Sequence, residues 1–300
     1  SRKVTIDYHS DWSDGGSEAY YTLDGSDPST SATRIKYSSP FDIDRNCTVR
    51  AVAYKEGRLY SQIREEKYSD IDSQFKVDGI YYNLAENTIG NAVEVTHGAL
   101  PYVGDIVIPE TVTKEDGTQF TVVRIGNNAF SRNNGNEITS ISLPVTIQSI
   151  GDNAFYNCDK LVSIVLPDGV KSIGREAFWN CYNLEDISLG TSLEYLGENA
   201  FASCNKLLSI KLPDTLKSLA FGIFQNCNTL TSIAIPEGIT VIPSYLLSGC
   251  SNLTNVSMPS TLKTIESNAF NNCKNLTSII LPASLTSIYN EVFKDCSSIF

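Results

Sequence analysis

Leu166–Cys181 reads LPDGVKSIGREAFWNC, Leu189–Cys204 reads LGTSLEYLGENAFASC, and Leu212–Cys227 reads LPDTLKSLAFGIFQNC. The three stretches are one pattern written three times, 23 residues apart. Working outward, the same pattern ends in Cys158, Cys181, Cys204, Cys227, Cys250, Cys273 and Cys296 at constant spacing. Three residues before each cysteine stands Phe155, Phe178, Phe201, Phe224, Leu247, Phe270 or Phe293. The start of each unit repeats as Leu161/Ile164/Leu166, Leu184/Ile187/Leu189, Leu207/Ile210/Leu212, Leu230/Ile233/Ile235, Leu253/Val256/Met258 and Leu276/Ile279/Leu281.

A period in the twenties with L-x-x-L-x-L marks a leucine-rich-repeat solenoid. "LxxIxL" is a short strand with its apolar residues facing inward. Successive coils set these strands side by side, about 4.8 Å apart. Pro144, Pro167, Pro213, Pro236, Pro259 and Pro282 follow the strands and end their hydrogen bonding, with Gly190 as the exception. Each unit has one apolar side, so it folds only by stacking on its neighbours.

The units depart from the common repeat. Where an Asn or Cys is expected after the strand stand Gly169, Ser192, Thr215, Gly238, Thr261 and Ser284. A second apolar pair follows, such as Val170/Ile173 or Leu262/Ile265, and then "G-x-x-AF-x-x-C". This arrangement resembles the BspA-like leucine-rich repeats of bacterial surface proteins, over residues 138–298. The stretch before it resembles that family's N-terminal cap: FKVDGIYYNL, AVEVTHGAL, GDIVIPETV and TQFTVVRIGNNAF read as strands. Asp78-Gly79 and Asp116-Gly117 are hairpin signals. Pro109 and Phe130 match the repeat's Pro and Phe, with about ten residues inserted between them. A cap covers the core and sheet edge that the first coil would otherwise expose.

Seven equivalent cysteines form one column, and an odd number cannot pair fully. Cys47 stands in another domain. The column is therefore read as small buried thiols. No CxxC is present and the only histidines are His9 and His97, both beside turns and expected at the surface, so no metal site is expected.

Residues 19–61 alternate apolar and polar positions, broken by Asp24-Gly25, Asp27-Pro28 and Glu56-Gly57. They read as a small antiparallel β-sandwich. "YYTLDGSDP", then Tyr37 and Pro40, then "TVRAVAY", resemble the C-terminal chitobiase/β-hexosaminidase-type domain, an immunoglobulin-like accessory module of exported bacterial proteins. The resemblance implies no catalytic residue. Asp24, Ser26 and Asp27 are calcium-type ligands, but Asp and Gly in a tight turn explain them as well.

The expected fold is mainly β. An Ig-like sandwich (1–70) precedes an N-terminal cap and irregular first repeat (71–137), then the repeats (138–300). The chain starts at Ser1 and stops in mid-repeat soon after Cys296, so a lost leader and a truncated or omitted tail are expected. Formal net charge is -11, spread along the chain without a basic stripe, which argues against nucleic acid and anionic membranes. No apolar run is long enough to span a bilayer. No nucleophile-elbow, HExxH, Walker or dinucleotide motif occurs. No enzyme activity and no cofactor are expected.

Two surfaces stand out. The outward strand positions form columns of mostly small residues: Ser140, Ser163, Asp186, Ser209, Ser232, Asn255 and Ser278, beside Ser142, Val165, Ser188, Lys211, Ala234, Ser257 and Ile280. Small residues there permit close stacking. Asp186, Lys211 and Asn255 break the pattern and are contact candidates, with Ser163, Val165, Ser188 and Ser209 around them. The second surface is aromatic: Tyr156, Trp179, Tyr182 and Tyr195, where other repeats carry Ala202, Gln225, Ser248 and Asn271 in place of Tyr156 and Trp179. Such rings stack on sugars, anchor a protein partner or serve only packing.

The family resemblance implies an exported protein, at the cell surface (an outer-membrane lipoprotein among the options) or secreted. It implies adhesion to a host or bacterial surface protein. A glycan partner in a glycan-degrading system and a plain spacer are the alternatives. A monomer is expected.

Overall fold

A computed structural model describes residues 2–6, 17–43, 47–55, 58–59, 61–68, 74–85, 91–131 and 137–299. Among them all regular structure is strand. His9 and the Glu56-Gly57 turn lie outside the described residues. The chain divides into two units, residues 1–94 with 113–121, and residues 95–112 with 122–300.

In the first unit, Ser17–Thr22 lies between Ile35–Lys36 and Cys47–Lys55, and Arg58–Leu59 and Arg64–Tyr68 join the far side, all antiparallel. A second sheet pairs Arg2–Val4 with Phe41–Ile43. Val4, Tyr21, Cys47 and Val49 form the core, with Tyr21 stacked on Phe41 at 4.2 Å. This is the expected Ig-like sandwich. Alternation turns Tyr20 and Tyr54 to the other face, where their rings meet edge-on at 5.6 Å. The Asp24 and Asp27 carboxylates accept hydrogen bonds from the amides and hydroxyls of Ser26 and Ser29, which close the turns. Those bonds hold both acids below the usual carboxylate range. Phe75–Val77 and Ile80–Leu84 make a hairpin about Asp78 and Gly79, both at positive φ, as its Asp-Gly signal predicts.

The second unit is a solenoid of parallel coils. Its inward columns are sealed: Phe155, Phe178, Phe201, Phe224 and Phe270 are fully buried, as are Leu161, Leu184, Leu207, Leu230, Leu253 and Leu276. The rings of Phe130, Phe155, Phe178, Phe201 and Phe224 stack with centroids 4.9 to 5.8 Å apart, which is the coil spacing itself. Leu247 interrupts this column, and Phe270 and Phe293 resume it.

The strand pairing differs from the simplest expectation. Among the described residues the "LxxIxL" strands pair in twos: Val103–Val107 with Glu137–Ser142, Ser163–Val165 with Asp186–Ser188, and Ser232–Ala234 with Asn255–Ser257. The longer runs of pairing lie at the second apolar pair. There Gln119–Ile125, Ser149–Ile150, Ser172–Ile173 and Tyr195–Leu196 form one parallel ladder, and Val241–Ile242, Thr264–Ile265 and Ser287–Ile288 another. Between the two ladders lies the coil of residues 207–229, which contributes no strand to either sheet.

The corner after this second strand explains the break. Gly126, Gly151, Gly174 and Gly197 stack there. A Cβ on Gly174 would lie 2.6 Å from the Asp152 nitrogen, and one on Gly197 2.4 Å from the Arg175 nitrogen. Only glycine permits that approach. The next residues in the column are Ala220, Pro243, Glu266 and Tyr289. The amides of Gly151, Gly174 and Gly197 donate to the strand carbonyl of the preceding coil at 2.8 to 2.9 Å, and Glu266 and Tyr289 do the same. Among the described residues Ala220 makes no such bond. Pro243 has no N–H to offer the 207–229 coil.

No disulfide joins the eight cysteines among the described residues, and all eight are buried. The repeat thiols do more than fill space. Each donates to a main-chain carbonyl of the preceding coil, from Cys158 to Phe130 O at 3.1 Å through Cys296 to Phe270 O at 3.0 Å. A thiol is a weak donor that fits an apolar interior. Burial pushes the thiols of Cys181 and Cys227 up to about 12.

Candidate functional site

Period-2 alternation on each short strand sends one residue in three-residue strands inward and its neighbours out. Ile164, Ile187, Ile210, Ile233 and Val256 are buried. Ser163, Val165, Asp186, Ser188, Ser209, Lys211 and Asn255, the strand-face candidates, are all exposed. Parallel pairing puts Ser163 beside Asp186 and Val165 beside Ser188. Asn255 pairs with Ser232, two coils beyond Ser209.

Four of these candidates share one concavity of about 710 Å³: Asp186, Ser188, Ser209 and Lys211. The wall adds Thr191, Asp214 and Thr215, which the strand columns did not single out. Asp214 follows Pro213 at a turn position filled elsewhere by Asp168 and Glu237, so nothing in the sequence distinguished it. Ser163, Val165 and Asn255 are not in this wall. The concavity lies between the coil of residues 184–206 and the unpaired coil that follows it.

Its electrostatics are mixed. Of two exposed ion pairs nearby, Glu194–Lys217 ties the same two coils together, and Glu185–Lys206, at 3.5 Å, joins the beginning and the end of the first. The Thr215 hydroxyl donates to Leu193 O at 2.6 Å and adds a further tie. Asp186, Lys211 and Asp214 have no ion pair among the described residues. The site thus offers two carboxylates, one ammonium and several hydroxyls, with no aromatic ring in the wall.

The aromatic candidates do not form one cluster. Tyr156 and Trp179 meet edge-on at 5.5 Å, both half-buried. Tyr182 is exposed beyond Cys181, without a ring contact to that pair among the described residues. Tyr195 is exposed on the second strand of its coil, in register with Ser172.

A family model described as BspA type leucine rich repeat region matches in six copies over residues 123–246 and 171–300. A model described as Fn3 associated matches residues 11–68, in keeping with an Ig-like module. No curated protein matches the chain. A leucine-rich repeat protein of T. pallidum is 26% identical with a TM-score of 0.57, over 76% of this chain and 91% of its own. A leucine rich cell surface protein of Faecalibacterium prausnitzii is 28% identical with a TM-score of 0.55, over 78% of this chain but 55% of its own. A leucine-rich repeat protein of Bacteroides ovatus is 29% identical with a TM-score of 0.55, over 75% and 69%.

Proposed function

The chain belongs to the BspA-type leucine-rich-repeat family, and on that premise we propose that it is a non-catalytic binding protein, exported to the bacterial cell surface or secreted. Its partner is a surface or matrix protein held against the solenoid's strand face. One observation carries this reading. The residues that break the small-residue columns, Asp186 and Lys211, line the same concavity. A relative described as a cell surface protein supports the location. The exposed, neutral strand face supports a broad contact rather than an enclosed reaction site.

A second reading is supported by the Tyr156–Trp179 ring pair, with Tyr182 exposed as a separate ring. Such rings suit the faces of sugars, so the alternative partner is a glycan.

Parallel binding to immobilised matrix proteins and to a glycan array separates the two. The variants Lys211→Glu and Trp179→Ala run beside the unaltered chain, with circular dichroism to establish folding. Saturable protein binding lost in folded Lys211→Glu is the expected result. Glycan binding lost in Trp179→Ala would replace it with the second reading, and no binding to either panel would remove both.

A further inference from the structure

We propose that the corner turns of the coils from Tyr156 to Tyr245 form a ridge that takes a linear, neutral oligosaccharide lying along the solenoid axis, one sugar to a coil, with its ends on two pairs of aromatic rings. This rests on the second of the two readings above, the glycan partner of Tyr156 and Trp179, and names the rest of its site.

The first observation is a second ring pair in the same turns. Phe221 and Tyr245 meet at 5.3 Å, and Phe221 is 40% exposed. Phe221 stands one residue after the corner, where other coils carry the polar Asp152, Arg175, Glu198 and Ser244. In each turn the residues two and five after the corner are joined: the Trp179 amide donates to Glu176 O at 3.1 Å, and the Ser248 amide to Tyr245 O at 3.2 Å. The two positions are therefore neighbours on the surface, and the Tyr245 column runs beside the Trp179 column.

The second observation is the backbone of Tyr245, at a φ of 59°. Its counterparts Asn153, Asn199, Gly222 and Asn268 share that left-handed conformation. Asn and Gly suit it, whereas a bulky ring there is an outlier. The ring does not enter the core; Tyr245 is half-buried against Phe221. An outlier of this kind points to use at the surface.

The third observation is spacing. Phe178, Phe201 and Phe224 each precede a residue of the Trp179 column, and their rings stack at 5.3 and 5.8 Å. That is close to the rise of one residue in an extended β-linked glycan. Between the ring pairs the column holds Ala202, which is buried. This small residue leaves room where Trp179 stands one coil earlier. Asn199 and Gln225, both half-buried, flank it with amides that donate to and accept from hydroxyls. Rings for sugar faces and a few amides for hydroxyls are the parts such a site needs.

The fourth observation is charge. Arg175 and Glu176 pair with each other, and the Asp152 carboxylate accepts the Arg175 amide. Glu198 adds an exposed carboxylate. The ridge thus suits a neutral glycan and disfavours acidic sugars.

The test is calorimetric titration of the full chain with neutral linear gluco-, xylo-, manno- and N-acetylglucosamine oligosaccharides, from disaccharide to hexasaccharide. Affinity for one series should rise with length and level off near the pentasaccharide, one sugar for each coil from Tyr156 to Tyr245. Trp179→Ala should abolish binding. Phe221→Ser and Tyr245→Asn should each weaken it about fivefold or more. Both place in the chain a residue that other coils carry there, so the thermal midpoint should hold. If binding is lost with Trp179→Ala but ignores Phe221→Ser and Tyr245→Asn, or levels off at the disaccharide, this inference fails and the glycan reading of Tyr156 and Trp179 stands. If binding ignores Trp179→Ala as well, or no series binds, the glycan reading fails and this inference with it.

Discussion

Residues 138–206 and residues 230–299 follow one 23-residue period with the same inward columns, yet their coils approach each other differently. In the first block a glycine at every second-strand corner brings backbone to within a Cβ-excluding distance of backbone. In the second, Pro243, Glu266 and Tyr289 hold that corner, and the ladder reforms from Ile242 onward. Each block is bonded within itself. The coil between them, 207–229, is bonded to neither through its strands. The contrast shows that core burial sets the existence of a coil, while a single corner residue sets how its main chain meets the next. The concavity with Asp186 and Lys211 lies where the two kinds of contact meet.

The shared core should give the largest effect. Phe178→Ala removes a fully buried ring from the stack and should cost about 4 kcal/mol, read from the denaturant midpoint. A loss below about 1 kcal/mol would mean that the ring column does not hold the coils together.

The corner itself separates the blocks more sharply. Gly174→Ala places a Cβ against main chain and should destabilise by about 3 kcal/mol. The reverse change, Ala220→Gly, should stay within about 1 kcal/mol. Equal effects of the two would erase the distinction between the blocks.

The thiol column crosses both blocks and predicts an alkaline limit. Cys181 and Cys227 are held protonated by burial up to about 12, whereas an unfolded thiol ionises near 8.5. The unfolded state therefore binds fewer protons above that value, and stability falls as pH rises from about 9 toward 12. Thermal unfolding at stepped pH should show this fall. Replacing Cys181 and Cys227 together with Ala should lessen it, the rest belonging to the other buried thiols such as Cys204 and Cys250, which burial also pushes up.

Hydrogen exchange gives a smaller effect, and it reads the junction directly. The amides of Ser209–Lys211 should exchange about tenfold faster than those of Asp186–Ser188 or Asn255–Ser257. Matching rates would mean that the middle strand is paired in solution. The smallest effect belongs to the surface: Asp186→Asn and Lys211→Met should each leave stability within about 0.5 kcal/mol. A larger loss would assign these residues to the fold rather than to a partner.

Much of this was legible in the chain. The constant spacing from Cys158 to Cys296 and the L-x-x-I-x-L pattern determined a solenoid, the columns that face inward and the residues that face out. The Asp78-Gly79 pair determined a hairpin, because a two-residue turn at positive φ is a local requirement. Asp186 and Lys211 were visible as departures from a column. Tertiary structure decided the rest. The "LxxIxL" strands pair in twos, the cysteine thiols reach main-chain carbonyls one coil away, Asp214 joins the concavity, and Tyr195 stands apart from Trp179. These depend on the distance between two coils, which no single repeat encodes. Burial patterns add along one chain segment and can be read there. Hydrogen bonds between coils depend on both backbones at once, and a glycine, alanine or proline at one corner shifts that distance enough to make or lose them.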